Sequence, residues 1–191
     1  MPSLVIGLGN PGGEYTRTRH NVGWMCLDVL EAQGRFGRER REGPAKVREG
    51  SIHGYDIVTA RPQTFMNLSG RAAVHLTRKY GVPVEDLIVV HDDVDLPLGR
   101  LRLKRGGGAA GQKGVLSIAD SLRSQDFMRL RVGVSRPADR GQMIDYVLDR
   151  FTPDEREQLA AVLPRAADAV VALVRDGLEL AATEYNRAAG S

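Results

Sequence analysis

The chain has 191 residues, of which 42% are hydrophobic, so it can bury one substantial core, and disorder over most of its length is excluded. Its one cysteine, Cys26, excludes an intrachain disulfide, and no apolar run reaches the roughly 18 residues that a membrane-spanning helix needs. With a formal net charge of +3, the overall charge alone identifies no class of partner. We therefore expect a single domain, residues 1–191, in the cytoplasm.

Five segments have the apolar runs or the alternation of β-strands. They are residues 3–7, 51–60, 86–91, 99–105 and 129–135. Residues 87–90 (LIVV) form a continuous apolar run, which is typical of a central strand buried on both faces. Leu101 and Leu103 alternate with basic residues, which indicates a strand with one wetter face.

Helical patterns lie between these strands and after them. They are a helix from Val22 with Asn21 as its candidate N-cap, residues 69–80, residues 116–122, a long stretch from Thr152, and residues 177–188. We interpret residues 35–50, the glycine-rich 106–114 and 139–150 as loops. Strands that alternate with helices predict an α/β protein, here a single-domain three-layer α/β/α sandwich around a mixed, mostly parallel central sheet.

Residues 7–12 (GLGNPG) fit the G-x-G-x-x-G turn of dinucleotide-binding enzymes. In those enzymes the helix starts within the glycine turn, so that its N–H groups meet the pyrophosphate. Here nine residues separate Gly12 from Val22, where the helical pattern begins, so the confirming context is missing. The alternative is that the glycines shape a tight loop that presents Asn10 and His20 to one cleft. A dinucleotide-dependent oxidoreductase stays as a competing hypothesis.

Polar residues also follow two later strands, and ligands of open α/β sheets bind beyond the carboxyl ends of strands. Asn67 lies where a helix starts, so it either faces a cleft or simply caps that helix. His91 is followed by three aspartates, a set that fits a divalent metal ion. Adjacent strand residues face opposite ways, however, so Asp92 and Asp93 do not easily share an ion. A better role for one aspartate is to bond a histidine ring N–H and stabilise its charged form.

Two stretches concentrate positive charge. Residues 35–48 hold six Lys or Arg against two Glu, and residues 100–105 hold four basic residues and no acid. Two such clusters in a nearly neutral protein favour a surface for phosphates, although either cluster alone also fits ordinary solvated charge.

Three segments resemble, in order and at similar spacing, the signature segments of bacterial peptidyl-tRNA hydrolase. They are GLGNPGGEYTRTRHNVG (7–23), RPQTFMNLSG (61–70) and HDDVDLPLGRLRLKRGGG (91–108). The resemblance implies hydrolysis of the ester between a peptide and the 3′ ribose of tRNA, which recycles tRNA from stalled or aborted translation. It also implies that peptidyl-tRNA is the partner, that the protein is a monomer, and that no cofactor or metal is needed.

The resemblance further implies roles for individual residues. His20 would be the catalytic base and Asp92, rather than Asp93, the carboxylate that orients it. Asn10 and Asn67 would line the catalytic site. The residues implied in substrate binding are Tyr15 at the 3′ end of the tRNA, Phe65 and Met66 in the channel for the peptide or terminal adenosine, and Lys104 and Arg131 at phosphates.

The sequence departs from the family pattern at two places. Arg61 stands where the family usually has lysine, and Gln112-Lys113 stands where it usually has His-Asn. Lys113 thus replaces an asparagine that binds substrate, and we place Lys113 in the substrate site too, although lysine adds a charge and accepts no hydrogen bond. This departure keeps open a non-catalytic RNA-binding relative of the same fold. A Ser69 acyl-enzyme is disfavoured because no G-x-S-x-G elbow occurs.

Overall fold

Eight strands form one mixed sheet in the computed structural model, which describes residues 1–187. The strands are β1 (Ser3–Gly7), β2 (Arg35–Phe36), β3 (Arg40–Glu42), β4 (Ala45–Ile52), β5 (Tyr55–Pro62), β6 (Ile88–Asp93), β7 (Leu101–Arg105) and β8 (Met128–Gly133). Their order is β2-β4-β5-β1-β6-β8-β7, and β3 pairs with β4. The four central strands β5, β1, β6 and β8 are parallel, and the antiparallel pairings lie towards the two edges.

Helices cover both faces of the sheet. They are α1 (Val22–Ala32), α2 (Gly70–Tyr80), α3 (Lys113–Leu122), α4 (Met143–Leu148), α5 (Pro153–Asp176) and α6 (Leu178–Tyr185). Val5 and Val90 pack on one face with α1 and α5, whereas Leu4 and Val89 pack on the other with α2 and α3. Because side chains alternate along a strand, a continuous apolar run fills both cores at once. The predicted three-layer α/β/α sandwich is confirmed.

The predictions for the strands were wrong between residues 35 and 60. Residues 35–50 are not a loop, since they contain β2, β3 and most of β4. Residues 51–60 are not one strand, because the chain reverses at His53 and Gly54, whose φ angles are 50° and 84°. Two consecutive residues with positive φ form the tight turn that joins paired antiparallel strands. Gly54 indicates this turn in the sequence, but apolar and polar residues alternate on both sides of it, so residues 51–60 looked like one strand.

Three helix predictions also need correction. Helix α3 starts at Lys113 rather than Leu116, because the side chain of Gln112 caps its first turn. The segment 139–150 is not only a loop, since it contains α4. Asn21 precedes α1, but its side chain makes no cap hydrogen bond there. Part of the final predicted helix, residue 188, lies outside the described residues. No helix of residues 1–187 is long and apolar enough to cross a membrane.

The two basic clusters lie at opposite ends of the sheet. Residues 35–48 build β2, β3 and part of β4 at one edge, and residues 101–105 are β7 at the other. In the first cluster Arg40 pairs with Glu42 and Glu49 at 2.9 and 2.5 Å, and Arg48 pairs with Glu31 at 3.0 Å. The clusters therefore do not form one continuous patch, and much of the charge at the first edge is neutralised within the protein.

A buried ion network ties α1 to the sheet behind the first edge. Glu31 accepts hydrogen bonds from Arg61 at 2.7 Å and from Thr59 at 2.6 Å. Although burial opposes it, these contacts and that of Arg48 lower the pKa of Glu31 below its usual value. Cys26 lies in the core beside this network, and burial together with Asp28 raises the pKa of its thiol to about 12, as expected for an inert cysteine.

We predict that Glu31→Gln lowers the free energy of unfolding at pH 7 by about 3–5 kcal/mol, because Arg61 loses its buried counter-charge. A lowered pKa means that the stabilisation by Glu31 is complete above the usual glutamate range, about pH 4.3, and is lost as the pH falls through the folded-state pKa. The difference between wild type and variant should therefore shrink below that pH in denaturant titrations.

Asp28→Asn is the matched control for this prediction. Asp28 pairs with the same Arg61, but its side chain is 72% exposed. Solvent screens such a pair, so this variant should lose far less stability than Glu31→Gln. Equal losses, or a loss at Glu31 that does not change with pH, would contradict the assignment.

Candidate active site

A cleft of about 490 Å³ opens at the carboxyl ends of the central strands β1 and β6. Its wall brings together residues that are far apart in the chain. They are Asn10, Tyr15, His20, Phe65, Met66, Asn67, Asp92, Asp93, Val94, 109–113, Arg136, Met143, Ile144, Val147 and Leu148. All four residues predicted to be catalytic line this one cleft, as do Tyr15, Phe65, Met66 and Lys113 among those predicted to bind substrate.

His20 and Asp92 form a hydrogen-bonded pair in the cleft. Nδ1 of His20 lies 2.8 Å from Oδ2 of Asp92, with side-chain exposures of 12% and 3%. His20 lies on a 3-10 turn, Arg19–Asn21, directly before α1, and Asp92 lies on β6. Because a carboxylate only accepts, the His20 Nδ1 carries the proton when the imidazole is neutral. The remaining ring nitrogen, Nε2, is then an acceptor.

Close backbone approach puts His20 at this distance. A Cβ on Gly7 would lie 2.7 Å from the carbonyl oxygen of Gly23, and a Cβ on Gly23 would lie 2.5 Å from that of Val90. These two glycines let the start of α1 rest directly on β1 and β6. Helix α1 begins at Val22, ten residues after Gly12, and the glycine turn is followed only by a three-residue 3-10 turn, Gly13–Tyr15, so no α-helix starts there. The pyrophosphate site of a dinucleotide-binding fold is therefore missing, and the glycines serve packing.

Asn10 is held by three hydrogen bonds. Its backbone N–H donates to Oδ1 of Asn21 at 2.9 Å, and Nδ2 of Asn21 donates to its carbonyl at 3.0 Å. Its side-chain oxygen accepts from the backbone N–H of Met66 at 2.7 Å. With the oxygen so engaged, the Nδ2 of Asn10 is the side-chain group left for a ligand. From the sequence we predicted Asn21 as the N-cap of α1, and we did not predict its hydrogen bonds to the backbone of Asn10.

Asn67 faces the cleft from the 3-10 turn Met66–Leu68. It does not cap α2, whose N-cap residue is Ser69. Ser69 is fully buried, and its hydroxyl donates to the carbonyl of Met66 at 2.7 Å. It is not among the residues that line the cleft, so a serine nucleophile there has no support from geometry.

Each of the three aspartates at the end of β6 and just beyond it has its own partner. Asp92 pairs with His20, Asp93 accepts from Nε of Arg131 at 2.6 Å, and Asp95 pairs with Arg136. Burial lowers the pKa of His91, whose Nδ1 lies 2.8 Å from the carbonyl of Asp92. Within residues 1–187 no group of three or more His, Cys, Asp or Glu side chains is arranged to hold a metal ion.

Comparison with known proteins identifies the family. A family model described as peptidyl-tRNA hydrolase matches residues 4–191. The chain belongs to the peptidyl-tRNA hydrolase family. It is 45% identical over 187 residues to the peptidyl-tRNA hydrolase of Nocardia farcinica, covering 97% of this chain and 96% of the relative. It is also 46% identical over 180 residues to that of Mycobacterium avium, covering 93% and 94%.

A solved structure shares the whole fold. The crystal structure of peptidyl-tRNA hydrolase from Acinetobacter baumannii matches with a TM-score of 0.92 and 30% identity, covering 98% of this chain and 95% of that one. The resemblance read from the three motifs is thus confirmed along the length of the chain.

The two departures from the family pattern differ in their relation to the cleft. Arg61 is buried in the network with Glu31 and Asp28, and it does not line the cleft. Lys113 is exposed at the first residue of α3 and does line it. Gln112, which we did not assign to the site from the sequence, donates to Oδ1 of Asp92 at 2.9 Å. Its unusual identity was visible in the sequence, but its contact was not.

The two residues predicted to contact phosphates, Lys104 on β7 and Arg131 on β8, do not line the cleft, although Arg131 is joined to it through Asp93. Partial burial, together with Arg131 and Arg129, lowers the pKa of Lys104. Arg131 is the partner of Asp93, with 17% of its side chain exposed. Arg129 is buried, and its guanidinium donates to the carbonyls of Gly107 and Gly108, which fixes the glycine-rich loop.

Helix α4 forms one wall of the cleft, and Arg19 anchors it. The buried guanidinium of Arg19 donates to the carbonyl of Tyr146 at 2.8 Å, lies 4.0 Å from that ring's centre, and pairs with Glu155 at 2.6 Å. Its backbone N–H also donates to the carbonyl of Asp149. Ile144 and Val147 on the same helix face the cleft. Arg19, the residue directly before His20, therefore fixes the position of α4 against the cleft.

We predict that Arg19→Met releases α4 and lowers the free energy of unfolding by about 3 kcal/mol, because Glu155 loses its partly buried partner. Hydrogen exchange followed by mass spectrometry should show faster exchange in residues 143–148. Arg17→Met, at an exposed site on the same loop, should change neither quantity. Unaltered exchange in α4 of Arg19→Met would remove Arg19 as the anchor.

Proposed function

We propose that this chain hydrolyses the ester bond between the peptide and the tRNA of peptidyl-tRNA. Family membership supports the substrate class, and the hydrogen-bonded pair His20–Asp92 in an amide-lined cleft supports the chemistry. The pair is the observation that carries the mechanism, because an ester needs an activated water and an imidazole is a suitable base near neutral pH. Release of the peptide would return the tRNA from stalled or aborted translation to use.

In the proposed reaction His20 is the general base. Asp92 holds the proton on Nδ1, so Nε2 takes a proton from the attacking water as the water oxygen bonds to the ester carbonyl carbon. Collapse of the tetrahedral intermediate breaks the bond to the 3′ oxygen of the ribose, and the imidazolium returns its proton to that oxygen. The products are a peptide carboxylic acid, which ionises, and a tRNA with a free 3′ hydroxyl. Asp92 stabilises the transient imidazolium.

Amide donors would stabilise the negative charge that develops on the carbonyl oxygen. Asn67 faces the cleft, and Asn10 has its side-chain oxygen engaged with Met66, which leaves its Nδ2 for substrate. One donor aimed at a developing oxyanion is typically worth about 3–4 kcal/mol. The rigid mounting of Asn10 lowers the cost of reorganisation during the reaction.

The substrate would lie across the cleft and the β7–β8 face. Tyr15 would hold the 3′ end of the tRNA, and Phe65 and Met66 would contact the peptide or the terminal adenosine. Lys113 adds a cation at the rim of the cleft, which suits a polyanionic substrate. Lys104 and Arg131 would contact tRNA phosphates. Arg131 is the more constrained of the two, because it pairs with Asp93. We propose that the monomer, acting as one domain, is the active form.

We predict that His20→Ala lowers kcat for an N-blocked aminoacyl-tRNA by about 10²–10⁴-fold, the usual contribution of a general base. Asp92→Asn should lower kcat more than Asp93→Asn, because only Asp92 touches His20. Single-turnover hydrolysis measures the rate of the chemical step for each of these variants. Near-normal activity in His20→Ala, or the reverse order of the two aspartates, would reject the mechanism. A wild-type protein that binds the tRNA but never hydrolyses it would instead be the non-catalytic relative.

Lys104→Ala should weaken tRNA binding and reduce the slope of log Kd against the logarithm of the salt concentration by about one. Each phosphate that a protein cation neutralises releases counterions, and the variant loses one such contact. Lys46→Ala is the matched control, because Lys46 lies on β4 at the far edge of the sheet and pairs with Glu39. Binding titrations at several salt concentrations should leave the control unchanged. Identical slopes for Lys104→Ala and wild type would exclude Lys104 from the phosphate contacts.

A further inference from the structure

We propose that Gln112 is a positioning residue for Asp92, an inference that rests on the hydrolytic function proposed above. Gln112 is buried, and its side chain has three partners, the backbone of Val115, the carboxylate of Asp92 and, at 3.4 Å, Sδ of Met66. Its Oε1 accepts from the backbone N–H of Val115 at 2.9 Å, and its Nε2 lies 2.9 Å from Oδ1 of Asp92. A single side chain thus connects the N-terminus of α3 to the carboxylate that holds His20.

The orientation of the Gln112 amide follows from its neighbours. A backbone N–H only donates, so the amide atom that faces Val115 is the oxygen. The other amide atom is then the NH₂ group, and it faces a carboxylate oxygen, which only accepts. The reversed amide would place a donor against a donor and an acceptor against an acceptor. Gln112 is therefore fixed as a donor to Asp92.

This contact gives the second oxygen of the Asp92 carboxylate a donor. Oδ2 is used by His20 at 2.8 Å and Oδ1 by Gln112, while the side chain is almost wholly buried. Two donors at fixed positions prevent rotation of the carboxylate about its last side-chain bond. Without Gln112 that rotation would let either oxygen face His20 and would leave the other buried without a donor.

The same contacts fit a simpler role, in which Gln112 only caps α3. Two variants separate the roles, because both keep a side-chain acceptor at the cap position. Gln112→Ser has a hydroxyl that caps helices well but is too short to reach Asp92. Gln112→Glu keeps the length and an oxygen for the N–H of Val115 but replaces the donor with a second carboxylate. Ser117→Ala is the control for damage to α3, since Ser117 accepts from the N–H of Gly70 and is not a cleft residue.

We expect Gln112→Ser to lower kcat for an N-blocked aminoacyl-tRNA about 10-fold and Gln112→Glu up to about 100-fold, the range for a hydrogen bond to a charged group. KM should change little, because the amide faces Asp92 rather than the substrate. Ser117→Ala should lower the Tm and leave kcat unchanged. If kcat of both Gln112 variants stays at the wild-type value while their α3 remains folded, the inference is wrong.

A double-mutant cycle with Asp92→Ala supplies a readout that a capping role would not move. If Gln112 acts through Asp92, Gln112→Ser costs little further activity once Asp92 is absent. Equal losses in both backgrounds would overturn the inference and would leave the proposed function intact. Failure of the function itself has a different signature, namely a wild-type protein that does not hydrolyse the substrate, whereas wild-type hydrolysis by His20→Ala rejects only the mechanism.

Discussion

The buried carboxylate of Asp92 imposes the strongest constraint on the architecture of the cleft. A charge that is nearly excluded from water must be met by donors at hydrogen-bonding distance, or the folded state pays for its desolvation. Here the donors come from two separate elements, the turn before α1 and the cap of α3. Strand β6, the start of α1 and the start of α3 therefore have to converge at one side chain. Gly7 and Gly23 allow the start of α1 to come this close to β6, because neither residue has a Cβ.

Alternation within strands made much of the site predictable from sequence. Ile88, Val90 and Asp92 face the α1 side of β6, so strand geometry puts Asp92 and Asp93 on opposite faces, and the family resemblance supplied the choice between them. The position of His20 immediately before a helix, and of both asparagines near strand ends, needed only local patterns. These local signals were sufficient to place all four predicted catalytic residues at one end of the sheet.

Long-range pairing was much less predictable. Strands β2 to β4 are rich in charge, which in sequence looks like a loop. Arg40 pairs with Glu42 on its own strand and with Glu49 on the neighbouring strand β4, a contact that no local pattern shows. Gln112 was visible only as an unusual residue, since its acceptor lies 20 positions away on another strand. Arg19 looked like one basic residue among several, yet its partners Tyr146 and Glu155 lie more than 120 positions along the chain. In each case the chemistry is set by a contact that no local pattern encodes.

The pairing of charges also decides which basic surface can meet a polyanion. On β7 and β8 the register places Lys104 opposite Arg129, and Arg131 lies two residues further on the same face. Asp93 pairs directly with Arg131 and also acts on Lys104, but burial and the repulsion from Arg131 and Arg129 still lower the pKa of Lys104. A phosphate at this face would relieve that repulsion. At the opposite edge Arg40, Lys46 and Arg48 already have carboxylate partners. This difference, rather than the number of basic residues, supports the proposal that tRNA binds at the β7–β8 face.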